Sequence, residues 1–337
     1  MTSPDATARG ITNRSAGLDL LRAIACALVV AFHLHTVVGV PFGPADAVVA
    51  GGDNGVYIFF ALSGYLLYRP FIGRAVDLRA YAIKRAARIL PGYYVALVGL
   101  TLLTRSALPL EHPLPYLAIA GSYSIPLRGF LGSAWTLSAE VLFYVSLPVI
   151  ARVARGREAT VLGALAAVSI ALAVVLRATL AQPTEWLIGS YPVVVYAFVP
   201  GMLLAVMERR FAGSFRRLAL WPYLVAGAVL VAVGCVLSAL PVALGAGLGT
   251  PLLMGWLLQH PIPGGARMAS ALAFLGGASY AMYLWHKDLL LAFGIGGLAI
   301  ALVAAAASWA LVERPVLAWA HAITRPRPER LAEASAG

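Results

Sequence analysis

The chain has 337 residues, 61% apolar and only 12% charged, with a net charge of +11 at neutral pH. A soluble domain is about 45–50% apolar and about 25% charged, so this composition excludes an ordinary water-soluble enzyme and predicts an all-α, polytopic integral membrane protein. The positive charge does not imply a nucleic-acid partner, because its distribution along the chain has a membrane explanation.

Stretches long enough for the ~20 residues that cross a ~30 Å hydrocarbon core recur at about 17–38, 53–70, 90–106, 134–151, 159–178, 191–207, 219–239, 242–258, 270–287 and 292–312. Pro200, Pro241 and many glycines break up the region of the sixth to eighth stretches, which leaves nine or eleven as alternative counts; membrane helices tolerate such breakers when neighbours satisfy the freed backbone groups. The first stretch is too long, and too directly continued by others, to be a cleaved signal peptide. Residues 1–15 form an N-terminal tail, 16–320 a transmembrane domain and 321–337 a C-terminal tail. With the N-terminus in the cytoplasm, 20 of the 25 basic residues fall on the cytoplasmic side, as the positive-inside rule demands. Both termini are then cytoplasmic and the number of spans is even, which supports ten. Lys84 and Lys287 are the only lysines and alanine is abundant, a usage typical of a GC-rich bacterial genome, so the inner membrane of a bacterium is the expected location. Cys26 and Cys235 read as small apolar fillers within spans.

No loop is long enough to be a soluble catalytic domain, so any chemistry lies among the helices. Ionisable groups at membrane depth cost about 2.5–3.5 kcal/mol on insertion scales and usually mark function. The first span carries Asp19, Arg22, His33 and His35. Eleven residues separate Arg22 from His33, which places them within about 20° of one helix face and some 16 Å apart along the axis. Both can line one cavity. Asp19, three residues before Arg22, can pair with it, and His35 reads as an interfacial residue. Between Arg69 and Pro91 basic residues alternate with aromatics, a pattern that suits an amphipathic helix on the cytoplasmic face. Lys84, Arg85 and Arg88 cluster just before the third span, where paired guanidinium groups suit phosphate oxygens; topology-setting charge is the plainer explanation.

The fourth span opens with "SAWTLSAEVLFYVSLP", which places Glu140 about two turns into the bilayer. His33, at comparable depth, is its natural partner, with serine or tyrosine hydroxyls as the alternative. Ser63 and Tyr65 in the second span, Trp135 and Ser138 beside Glu140, and His286 in "SYAMYLWH" are further site candidates. For Ser63 close helix packing, and for His286 an interfacial aromatic belt, are the ordinary explanations.

Taken in order, "LDLLRAIA" with Arg22 and His33, "GVYIFFALSGYLLYRPF", "KRAARILPGYY", "WTLSAEVLFYVSLP" and "SYAMYLWH" followed by "ERPVL" resemble the bacterial membrane acyltransferase-3 family, the O-antigen acetylase type. The resemblance covers about Gly17 to Ala320. It implies transfer of an acyl group, commonly acetyl, from cytoplasmic acyl-CoA to a hydroxyl of a glycan, glycolipid or secondary metabolite, without a metal. It further implies His33 as catalytic histidine, Arg22 as its companion, Arg85 and Arg88 as contacts for the CoA phosphates, and Glu140 as a site residue. The chain departs from many members at Tyr57 and Val141, where they carry acidic residues. A transporter or lipid flippase with a buried proton relay is the alternative, although no internal repeat of the transporter kind is evident.

Overall fold

Backbone groups cannot stay unpaired in hydrocarbon, and the chain meets that demand with helices. The computed structural model describes residues 4–121, 127, 129–180, 189–211, 240–260 and 262–325, and every regular element among them is helical. The longer ones are α1 Pro4–His33, α2 Gly55–Tyr68, α3 Leu78–Thr104, α4 Trp135–Ala154 and α5 Glu158–Thr179. They continue with α6 Val199–Arg210, α7 Leu240–Leu257, α8 Gly265–Phe293, α9 Gly296–Ser308 and α10 Arg314–Ile323. Single π-helical turns, Leu34–Val38 and Trp309–Glu313, extend α1 and join α9 to α10.

Six helical stretches among the described residues are long and apolar enough to cross a membrane: Ala16–Val38, Leu78–Thr104, Gly132–Ala154, Glu158–Leu176, Tyr191–Arg210 and Gly296–Ile323. Their outer faces expose aliphatic side chains such as Leu102, Val145, Val303 and Leu311 to 71–75%, an apolar surface that water would not tolerate over such an extent. This is a helical membrane protein.

Several boundaries differ from the sequence expectation. The stretch at 53–70 becomes α2, 14 residues long, ten of them buried, about 21 Å at 1.5 Å per residue, with single helical turns Gly52–Asn54 and Arg69–Phe71 continuing it at either end. The basic segment before the third span is not a separate interfacial helix but the first turns of α3. Asp77 caps α3 by accepting from the backbone N–H groups of Arg79 and Ala80 at 2.9 and 3.0 Å, and Pro91 lies within the helix without ending it. Helix α1 begins at Pro4, inside the segment expected to be a tail. The expected span at 219–239 lies outside the described residues.

Side-chain contacts fix the relative directions of the helices. Asp19 lies against Gly276, the Cys26 thiol against the Ser279 carbonyl and His33 against His286, so α1 and α8 run parallel. Gly52 and Gly55 meet Leu28 and Ala25 respectively, so the chain entering α2 runs antiparallel to α1. Gly92 meets Tyr280 and Gly99 meets Trp285, which makes α3 parallel to α8. Helices α2 and α6 touch backbone to backbone: a Cβ on Gly64 would overlap the Phe198 carbonyl, and one on Gly201 would overlap that of Ala61. Small residues permit this approach in membrane bundles.

Candidate active site

Helices α1, α2, α3, α4 and α8 enclose a cavity of about 860 Å³, counting its open mouth. Its polar wall includes Arg22, Ser63, Arg85, Arg88, Glu140 and Tyr144, and its apolar wall includes Phe59, Phe60 and Ile89. Three guanidinium groups and one carboxylate thus converge from three different helices.

Each is held by a specific contact. Arg22 donates to Asp19 at 2.5 Å, and Gly276 of α8 leaves room for the Asp19 backbone to come close. Arg85 lies over the Tyr144 ring at 5.7 Å, and Arg88 over Tyr280 and Trp309 at 5.4 and 5.9 Å. Arg85 Nε is buried with no hydrogen-bond partner among the described residues. Glu140 Oε1 accepts from the hydroxyls of Ser63 and Tyr144, at 2.8 and 2.6 Å. The expected Glu140–His33 pair is therefore replaced by bonds to hydroxyls, and Ser63, read mainly as packing, reaches the cavity.

His33 does not line this cavity. Val29 lies between Arg22 and His33 on α1 and packs with Val56 and Tyr283 in a small buried cluster. Tyr283 faces the cavity on one side, while its ring lies 5.8 Å from that of His286 on the other. Beyond that layer the half-buried His33 meets the fully buried His286: His33 Nδ1 is 3.1 Å from His286 Nε2. The same face of α1 carries both Arg22 and His33, but about 16 Å of axial rise separates the two residues, and the Val29–Tyr283 layer closes the cavity off from the histidine pair.

Other sequence candidates have local roles. Ser138 is buried and donates to the carbonyl of Ile119 at 2.5 Å, anchoring a residue with φ +58°. Tyr65 donates to Glu208 at 2.7 Å, and Arg69 lies 3.3 Å from the same carboxylate, tying α2 to α6. Trp135 packs edge-on against Phe60 at 6.2 Å. Lys84 is absent from the cavity wall, one turn nearer the start of α3 than Arg88. His35 approaches Val40 O and Asp46 outside the site.

Two buried acids were not among the sequence candidates, although Glu313 opens the "ERPVL" motif. Glu313, fully buried in the π-helical turn, accepts from Ser308 at 3.0 Å and lies beside Gly92 within electrostatic reach of Arg88. Asp288 accepts from the backbone N–H of Leu131, a residue with φ +50°, at 3.0 Å. Among the described residues no group of histidine, cysteine and acidic side chains has metal-site geometry.

Residues 15–319 match a family model described as an acyltransferase domain. The chain belongs to the acyltransferase-3 family. This acyltransferase-3 protein is similar to the exopolysaccharide production protein ExoZ of Rhizobium meliloti (strain 1021), 30% identical over 288 residues that cover 77% of this chain and 84% of ExoZ. It is also similar to nodulation protein 10 of Rhizobium leguminosarum bv. viciae, 30% identical over 124 residues, 30% of this chain and 34% of that protein. A third relative is YrhL of Bacillus subtilis (strain 168), whose name describes peptidoglycan O-acetyl transfer, 32% identical over 160 residues, 40% of this chain and 23% of YrhL. No solved structure matches. Membership makes the protein an acyltransferase, the enzyme reading rather than the transporter one.

The Asp19–Arg22 pair provides a stability test. Removing one partner of a fully buried ion pair costs about 3–5 kcal/mol, but Arg22 and Asp19 keep 26% and 14% exposure. Asp19→Ala is accordingly expected to destabilise the protein by about 1–3 kcal/mol, read as a lower melting temperature in detergent. An unchanged melting temperature would show that the pair contributes nothing to stability.

Proposed function

We propose that this acyltransferase moves an acyl group, commonly acetyl, from cytoplasmic acyl-CoA to a hydroxyl of a glycan, glycolipid or secondary metabolite. The protein sits in the inner membrane of a bacterium with ten spans and both termini cytoplasmic. The observation that carries the proposal is the cavity in which Arg22, Arg85 and Arg88 converge with Glu140, one aromatic layer away from His33. Arginine forks suit phosphate oxygens, so Arg85 and Arg88 hold the phosphates of CoA at the cytoplasmic mouth. The extended arm of the donor then reaches past Tyr283 toward His33. The names of ExoZ and YrhL speak of exopolysaccharide and peptidoglycan, which supports a cell-envelope saccharide as acceptor.

In the reaction, His33 acts as general base. The acceptor oxygen forms a bond to the thioester carbonyl carbon as its proton passes to His33; the C–S bond then breaks, and the departing thiolate takes the proton back. Arg22, some 16 Å along α1 from His33, adds to the cationic wall along the donor and lies too far from the reacting carbonyl to stabilise its oxyanion. Glu140, bonded to Ser63 and Tyr144 rather than to His33, balances the arginines and fixes the cavity wall.

The test is direct. Arg85→Ala combined with Arg88→Ala is expected to weaken acetyl-CoA binding to the purified protein at least tenfold, about 1.4 kcal/mol, and to flatten its salt dependence. Unchanged donor affinity would return both arginines to a topological role. Proteoliposomes given labelled acetyl-CoA and cell-envelope saccharide should show label transferred to the saccharide, and no turnover of acetyl-CoA would overturn the proposal.

A further inference from the structure

We infer that His286 is a positioning residue that holds His33 in the tautomer with its proton on Nδ1, leaving His33 Nε2 as the basic nitrogen of the site. The activity arm of this inference rests on His33 being the general base proposed above; the tautomer itself does not.

The hydrogen bonds determine the proton positions. His33 Nδ1 is 2.9 Å from the carbonyl oxygen of Val29, and His286 Nδ1 is 3.0 Å from that of Met282. A carbonyl oxygen can only accept, so both Nδ1 atoms carry a proton. A neutral imidazole has one N–H and one lone pair, so His286 Nε2 is a lone pair. It lies 3.1 Å from His33 Nδ1 and accepts from it, sharing that N–H with Val29 O in a three-centre bond of the kind common in helices. The opposite assignment would set a lone pair against a carbonyl oxygen on each helix. Every contact of the pair therefore agrees on a single arrangement.

The remaining nitrogen, His33 Nε2, has no partner among the described residues, and the half-buried ring leaves it accessible. His286 is fully buried and cannot itself meet an acceptor. When His33 Nε2 takes a proton, the Nδ1–H bond to His286 strengthens because its donor becomes charged. In serine hydrolases a buried carboxylate performs this orienting task; here a neutral ring performs it and adds no charge to a membrane interior. The π-helical turn at Leu34–Val38 begins immediately after His33, and such turns occur frequently at functional sites.

The experiment uses the full chain reconstituted in lipid with 15N-labelled histidine, His33 being assigned by loss of its signals in His33→Ala. Solid-state NMR is expected to find His33 protonated at Nδ1 and bare at Nε2; a proton on Nε2 alone overturns the inference whatever the activity. In the activity arm, His286→Leu removes the acceptor. It is expected to lower kcat about 10²-fold, at the low end of what general-base assistance supplies, with KM for acetyl-CoA within twofold of wild type. His286→Gln, whose amide oxygen can accept from Nδ1–H, is expected to recover at least tenfold of that loss. Wild-type kcat in His286→Leu, or equal loss in the leucine and glutamine variants, overturns the positioning role. Full activity of His33→Ala would instead overturn the catalytic reading and leave the tautomer result standing.

Discussion

His33→Ala is expected to lower kcat for acyl transfer by about 10²–10⁴-fold, the range that a positioned general base contributes, with insertion and folding intact. The alanine is tolerable because His33 is half-buried at the end of α1, and the bonds it loses are those of its Nδ1 to His286 and to the Val29 carbonyl one turn back. His286 keeps its own bond to Met282, and the parallel packing of α1 on α8 retains the Asp19–Gly276 and Cys26–Ser279 contacts. Labelled acetyl transfer in proteoliposomes, together with size-exclusion profiles and melting temperatures in detergent, separates lost chemistry from lost fold. Wild-type turnover in this variant would rule out His33 as the base.

Gly201→Val is expected to have the largest effect on folding. A side chain there meets the carbonyl of Ala61 and the backbone of Tyr65, so no rotamer change relieves the overlap and the two helices must separate. Overpacking typically costs about 1–3 kcal/mol, and a clash between backbones belongs at or above the upper end. Separation of α2 from α6 would also displace Ser63, which precedes Gly64 in the same contact and holds Glu140. Thermal melting followed by size exclusion is the measurement. A variant that melts like wild type would mean the helices are not so closely joined.

Much of this was legible in the sequence because single-helix patterns carry it. Hydropathy gives the membrane class, and helical phase places Arg22 and His33 on one face, where the structure has them. The composition of α3 brings Arg85 and Arg88 to one wall. What depends on the register between distant helices was not legible. The His33–His286 contact joins residues 253 apart in sequence, and nothing local distinguishes His286 from an interfacial aromatic neighbour. Phase alone also suggested a single cavity for Arg22 and His33, whereas the rise along α1 leaves room for Val29 and Tyr283 to close a layer between them. The burial of Glu313 follows from a π-helical turn, whose extra residue redirects side chains in a way that no regular periodicity anticipates.

The parallel pairing of α1 with α8 has a consequence for biosynthesis. Asp19, Arg22 and His33 emerge from the ribosome about 250 residues before Gly276, Ser279 and His286 do. At about 5–20 residues per second, the first helix waits on the order of 10–50 seconds in the bilayer with its histidine and its ion pair lacking the surface they will bury against. Until the eighth helix is inserted the nascent chain exposes charge to lipid, so its survival depends on the insertion machinery or on provisional neighbours. A ribosome stalled before Gly265 would release a chain with a complete cationic cavity wall on α3 but no completed histidine pair.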